Sequence, residues 1–201
     1  MNRKDLSLAA IIGLAVGLLV QPIIANVIPA LTLPLRAAVF LGFVVLAPVA
    51  LALAAWLSKF LPVLYQFAKF AAVGSLNSFL DLGLFNLETF LYGSVPGGSL
   101  YPIFKSISFL IATSNSFLWN KFWTFGSSTK ANSTEVLKFY GITLIGWMVN
   151  VGVATFVKNA AVSAGLSVSL WGNVAAPVVG IFAALFWNFF GYKFVVFKKS
   201  A

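Results

Sequence analysis

Five or six apolar stretches of about 20 residues, separated by short connections, leave this chain one environment to fold in. A helix needs about 20 predominantly apolar residues to cross a hydrocarbon core of roughly 30 Å. The runs Leu6–Ile28, Ala37–Ser58, Phe70–Tyr92, Ser106–Phe125, Phe139–Val157 and Trp171–Phe197 all approach that length. With 61% hydrophobic and 8% charged residues, too little polar sequence remains between them for a soluble domain of useful size. In hydrocarbon every backbone polar group must be satisfied internally, and runs this long and apolar do so as helices. The expected class is an all-α integral membrane protein with about six transmembrane helices.

The net charge of +9 would suit a nucleic-acid partner, but its distribution points elsewhere. With six spans and the N-terminus inside, Arg3, Lys4, Lys59, Lys69, Lys121, Lys130, Lys138, Lys193, Lys198 and Lys199 fall on the cytoplasmic side, against Arg36, Lys105 and Lys158 outside. That is the positive-inside bias of a multi-pass protein of the cytoplasmic (inner) membrane with both termini in the cytoplasm. Orientation and contact with anionic lipid account for most single lysines without further function. Nucleic acid is not an expected partner.

Absences narrow the chemistry. Without cysteine there is no disulfide framework or thiolate, and without histidine the commonest base and metal ligand is missing. The acids are Asp5, Asp81, Glu88 and Glu135. Asp5 and Glu135 are placed at cytoplasmic helix ends, and Asn132 to Glu135 has the spacing of a capping box. No ordinary catalytic set or metal site can be assembled, so no enzyme activity and no cofactor are expected. Near the N-terminus, Met1 to Lys4 and the apolar run after it also have the layout of a secretory signal ending near Ala25, though without a convincing small-residue cleavage pattern. Gly13 and Gly17 form a G-x-x-x-G pair that admits a close helix, within the chain or from another copy. Pro22 and Pro48 are possible kinks in the first two spans.

Lone acids inside a lipid-spanning stretch are the sharpest functional signal. A charge near the centre of such a helix costs on the order of 2.5–3.5 kcal/mol on insertion scales, so acids there usually face a partner or a cavity. Asn77, Asp81 and Glu88 are spaced four and seven apart and share a helix face, with Asn86 nearly opposite. Asp81 lies twelve residues beyond Lys69, roughly 18 Å along a helix and thus near the midplane. Polar residues also interrupt the later spans at Thr113–Ser116, Asn150 and Asn188. Asn77, Asp81, Asn115, Asn150 and Asn188 are expected to line a hydrophilic groove, with Asp81 and Glu88 as a polar path or proton-coupling pair. The competing view makes these residues interhelical hydrogen bonds worth about 0.6 kcal/mol each.

The last 135 residues read as a duplication. LKFYGITLIGWMVN from Leu137 echoes AKFAAVGSLNSFLD from Ala68, setting Asn150 opposite Asp81. SFLWNKFWTF from Ser116 matches NFFGYKFVVF from Asn188, setting Lys121 against Lys193, Phe122 against Phe194 and Phe125 against Phe197. Each half holds two spans, so the halves enter the membrane in the same direction, as two parallel two-helix repeats. The expected division is 1–62 for an N-terminal helix pair and 63–201 for a four-helix core, with halves near 66–125 and 135–199. Gly126–Thr134 is the expected linker and Tyr92–Pro102 a flexible outer loop.

FAKFAAVGSLNSFLDLGLFNL, SFLWNKFWTF and WNFFGYKFVVFK resemble the signature segments of GtrA-like membrane proteins, over roughly Gln66 to Lys199. The resemblance implies a four-span protein that moves polyprenyl-phosphate-linked sugars across the cytoplasmic membrane for cell-surface polysaccharide glycosylation. Two departures stand out: Gly191-Tyr192 replaces the Trp119-Asn120 of the first half, and the first two spans are additional. The resemblance assigns no role to those spans.

Such a lipid combines an apolar tail, an anionic phosphate and a hydroxyl-rich head. Lys121 and Lys193, each about a turn inside the cytoplasmic boundary, are the expected phosphate ligands; snorkelling anchors are the plainer alternative. Phe117, Phe122, Trp123, Phe125, Phe189, Phe194 and Phe197 are the expected lipid-tail or interface aromatics. The resulting expectation is a flippase working among membrane lipids, as a homo-oligomer, with a glycosyltransferase as a possible partner. Two rival readings remain: a non-transporting scaffold that recruits a glycosyltransferase, and a proton-coupled exporter of small cations. The paired lysines argue against the exporter, because they would repel a cation.

Overall fold

The computed structural model describes residues 2–93, 100–127, 129–166 and 175–197. Among them, six α-helices and no strands are found, so the chain is an all-α membrane protein. The helices are α1 (Arg3–Val27), α2 (Leu33–Leu57), α3 (Val63–Tyr92), α4 (Leu100–Trp119), α5 (Ser133–Ser163) and α6 (Ala176–Gly191). Five are long and apolar enough to cross a membrane. The exception, α4, carries Ser106, Ser108, Thr113, Ser114, Asn115 and Ser116 along its length. The expected outer-loop residues 94–99, residues 167–174, which take in the start of the sixth expected span, and Lys198 and Lys199 lie outside the described residues.

Local chemistry sets the helix ends. The Asn2 side chain caps α1 by accepting from the Asp5 N–H at 2.7 Å. Pro34 falls in the first turn of α2, where its missing N–H would have no helical partner. Gly93 closes α3 at φ 85°, a conformation that favours glycine. At the start of α5, Asn132 accepts from the Glu135 N–H at 2.9 Å while the Glu135 carboxylate accepts from the Asn132 N–H at 3.4 Å, completing the expected capping box. Pro22 and Pro48 both lie inside helices that run through them.

The chain divides into two compact units, Met1–Gly126 and Ser127–Ala201, so α1 and α2 fold together with the first repeat. In the first unit α1 packs on both α2 and α3, and α3 on α4. Ala9, Ile12, Val16, Leu51, Val73, Leu76 and Trp123 form its buried core. The G-x-x-x-G pair serves this intramolecular packing: Gly13 lies against the backbone of Phe43 and Val44, and Gly17 against Phe40. Gly83 on α3 similarly admits the Leu19 carbonyl of α1. Small residues bring backbones close where lipid and side chains are equally apolar and the hydrophobic effect gives no net pull. In the second unit α5 packs on α6, with Gly191 seated on Ile142.

Both repeats end alike. α4 passes into a π-helical turn, Asn120–Thr124, and α6 into another, Tyr192–Val196. Five-residue bonds close them, Phe125 N–H to the Asn120 carbonyl at 2.9 Å and Phe197 N–H to the Tyr192 carbonyl at 2.8 Å. These positions coincide in the sequence repeat. Burial repeats with them: Phe117 and Phe189, Asn120 and Tyr192, Thr124 and Val196, and Phe125 and Phe197 are buried, whereas Phe122 and Phe194 are exposed.

Candidate functional site

The facing sides of α3 and α4 carry a line of polar contacts. Ser108, wholly buried, donates to the Asp81 carboxylate at 2.7 Å. Further along, Asn115 donates from Nδ2 to the Asn77 carbonyl oxygen at 2.8 Å, and Asn77 donates to the Val73 carbonyl at 2.7 Å. Gln66 donates to the Thr124 carbonyl at 3.3 Å. Partner numbers fall on α3 as they rise on α4, so the helices are antiparallel and the contacts form one file along their seam. Three predicted residues, Asn77, Asp81 and Asn115, are thus brought together; Glu88 is half-buried two turns beyond Asp81 on α3.

At its α1 end the file meets a cluster that sequence reasoning missed. Asp5, buried, accepts at Oδ1 from Lys69 Nζ at 2.9 Å and from Trp123 Nε1 at 2.8 Å, and at Oδ2 from the Tyr65 hydroxyl at 2.8 Å. The Lys69 ammonium also lies 4.7 Å from the Tyr65 ring centroid and 5.5 Å from that of Trp123, within cation–π range. Asp5 had the spacing of a simple helix-end acid. The available hint was its scarcity: an acid beside Arg3 and Lys4 in a strongly basic chain.

The two repeat lysines occupy the second position of each π turn but differ in exposure. Lys121 is fully enclosed, its ammonium 6.0 Å from the Phe122 ring centroid. Lys193 is half-buried, 5.6 Å from the ring of Phe189 and 5.7 Å from that of Phe194. Of the predicted aromatics, Phe117, Trp123, Phe125, Phe189 and Phe197 are buried, leaving Phe122 and Phe194 on the surface.

In the second unit Asn188 rests on Gly146 of α5, where a Cβ would clash with its amide. Asn150 is half-buried one turn further along α5. Tyr192 takes the place that Asn120 holds in the first repeat: its hydroxyl shares a 2.7 Å hydrogen bond with Thr143, and its ring stacks on Phe139 at 4.5 Å. The side-chain Oδ1 atoms of Asn188 and Asn120 and the Thr124 hydroxyl are buried without a hydrogen-bond partner among the described residues.

All of the polar file except Gln66, both π turns and both repeat lysines fall inside the match to one family model, "GtrA/DPMS, transmembrane domain", over residues 69–197. The chain belongs to the GtrA/DPMS family. Membership carries a general role in handling lipid-linked sugars at the membrane. "Uncharacterized membrane protein YngA" of Bacillus subtilis (strain 168) is 31% identical over 132 residues, covering 66% of this chain and 79% of that protein. No solved structure matches. The family match begins at Lys69 and therefore leaves out α1, α2 and Asp5.

Proposed function

We propose that this protein flips polyprenyl-phosphate-linked sugars from the cytoplasmic to the outer leaflet of the inner membrane, for cell-surface glycosylation, with both termini cytoplasmic and no chemistry of its own. The observation that carries the reading is the α3–α4 file, in which a carboxylate, a serine and two asparagines meet inside a family domain associated with lipid-linked sugars. A sugar needs such groups to replace its hydration during passage, whereas lipid tails need none. In this reading Asn77, Asp81 and Asn115 receive the sugar, Glu88 lies further along its way, and Asn150 and Asn188 serve the second repeat. The prenyl chain stays in the bilayer against the exposed Phe122 and Phe194.

Lys193 suits the phosphate because it is only partly buried; Lys121, fully enclosed, meets a phosphate only after a local rearrangement. The test is flipping of a fluorescent prenyl-phosphate sugar in proteoliposomes. Wild type is expected to exceed empty liposomes, with Asp81→Asn and Lys193→Ala each at least tenfold slower. No flipping by well-folded wild type would refute the reading, and copurification of a glycosyltransferase would then favour a recruiting scaffold.

A further inference from the structure

Tyr65, Lys69 and Trp123 direct three donors at one point, a hydroxyl at 2.8 Å, an ammonium at 2.9 Å and an indole N–H at 2.8 Å. Lys69 and Trp123 lie inside the family match and Tyr65 one turn before it. The anion filling that point comes from outside the match: it is the carboxylate of Asp5 on α1. A phosphate offers oxygens to the same donors with equal or greater charge, and charge-assisted bonds of this kind are among the stronger hydrogen bonds.

An open groove of about 310 Å³ adjoins the cluster, lined by Lys4, Leu8, Leu118, Trp119, Phe122 and Trp123. Trp123 belongs to both features, with its N–H on the anion and its side chain on the groove wall. An anion-binding point continuous with an apolar trough, with Lys4 at its edge, fits an amphiphile that has a phosphate head.

We propose that Tyr65, Lys69 and Trp123 bind the phosphate of a prenyl-phosphate lipid whose chain lies in the adjoining groove, and that Asp5 is an internal stand-in which this phosphate displaces. The class of lipid rests on the flippase reading. Asp5 is tethered beside its donors, so it competes at high effective concentration and lowers the apparent affinity for the lipid. The N-terminal helix thereby acquires a role: it closes the site when no lipid is present.

The test is titration of the full-length protein in nanodiscs with farnesyl phosphate, followed by 31P NMR. Asp5→Asn keeps one oxygen for Trp123 and turns an N–H toward the Tyr65 hydroxyl, which can accept it, but removes the charge; it is expected to bind at least tenfold more tightly than wild type. Adding Lys69→Gln is expected to reverse the gain. Farnesol and inorganic phosphate, which lack the head and the tail respectively, are expected to show none. Asp5→Ser gives the same readout if the amide does not fold.

Unchanged or weaker farnesyl phosphate binding in a folded Asp5 variant overturns the proposal and leaves a latch between α1 and α3. Flipping by wild type would survive that outcome. Loss of both flipping and farnesyl phosphate binding in every variant would remove the flippase reading as well.

Discussion

Asp81 and Ser108 touch at 2.7 Å across the α3–α4 seam, one bond in a file that several polar residues share. Ser108→Ala should therefore cost little stability, about 0.6 kcal/mol by the average for interhelical bonds in membranes. Asp81→Asn keeps a partner for the hydroxyl, so its melting temperature should stay near wild type while flipping falls at least tenfold. Equal losses of stability and transport in Asp81→Asn would mark the pair as packing alone. Sequence spacing revealed Asn77 and Asp81 because a polar residue every fourth position in an apolar run is conspicuous. Ser108 was not conspicuous, since serines are common in α4 and only the antiparallel register selects it. Asp5 was harder still: its partners are 60, 64 and 118 residues away, and no local pattern encodes that return.

Close packing of helices depends on a few glycines, each with a definite neighbour. A Cβ at Gly146 would collide with the Asn188 amide, and one at Gly83 with the Leu19 carbonyl. Gly146→Ala should destabilise by about 1–3 kcal/mol, as overpacking does. Asn188→Ala in the same chain should restore most of the loss, because it removes the colliding amide; thermal melting in detergent checks both. Gly83→Leu has no flexible partner to yield, since a backbone carbonyl faces it, and should lower the melting temperature more than Gly146→Ala. Helix number and type were legible from the apolar runs, and the repeat was legible from its matched motifs. The π turns were not, because no residue in Asn120–Thr124 or Tyr192–Val196 signals a five-residue hydrogen bond. Their coincidence in the two repeats nevertheless falls on the matched lysines, and π turns are frequent at functional positions.

For the whole molecule, duplication explains most of the architecture. Each repeat contributes two helices and a closing π turn with the same alternation of buried and exposed aromatics. The repeats diverge in their polar content: the first carries the Asp81–Ser108 and Asn77–Asn115 pairs, and the second places Gly146 and Asn150 at the positions of Asn77 and Asp81. On the proposed flipping function the first repeat handles most of the sugar, so Asn150→Ala should slow flipping severalfold less than Asn77→Ala in the same liposomes. The N-terminal pair, which the sequence left without a role, is built into the first unit through Asp5, Gly13 and Leu19.

The central claim is that the α3–α4 file is a path for sugar and not a dry packing seam. The chain contains no cysteine, so Asn115→Cys supplies a single reporter at the middle of that file. In proteoliposomes, a membrane-impermeant maleimide is predicted to label Cys at this position, and a saturating prenyl-phosphate sugar to slow the labelling severalfold, whereas the sugar-free prenyl phosphate leaves the rate nearly unchanged. Absence of labelling from either side in a folded, flipping-competent protein, or labelling indifferent to the sugar, would contradict the account.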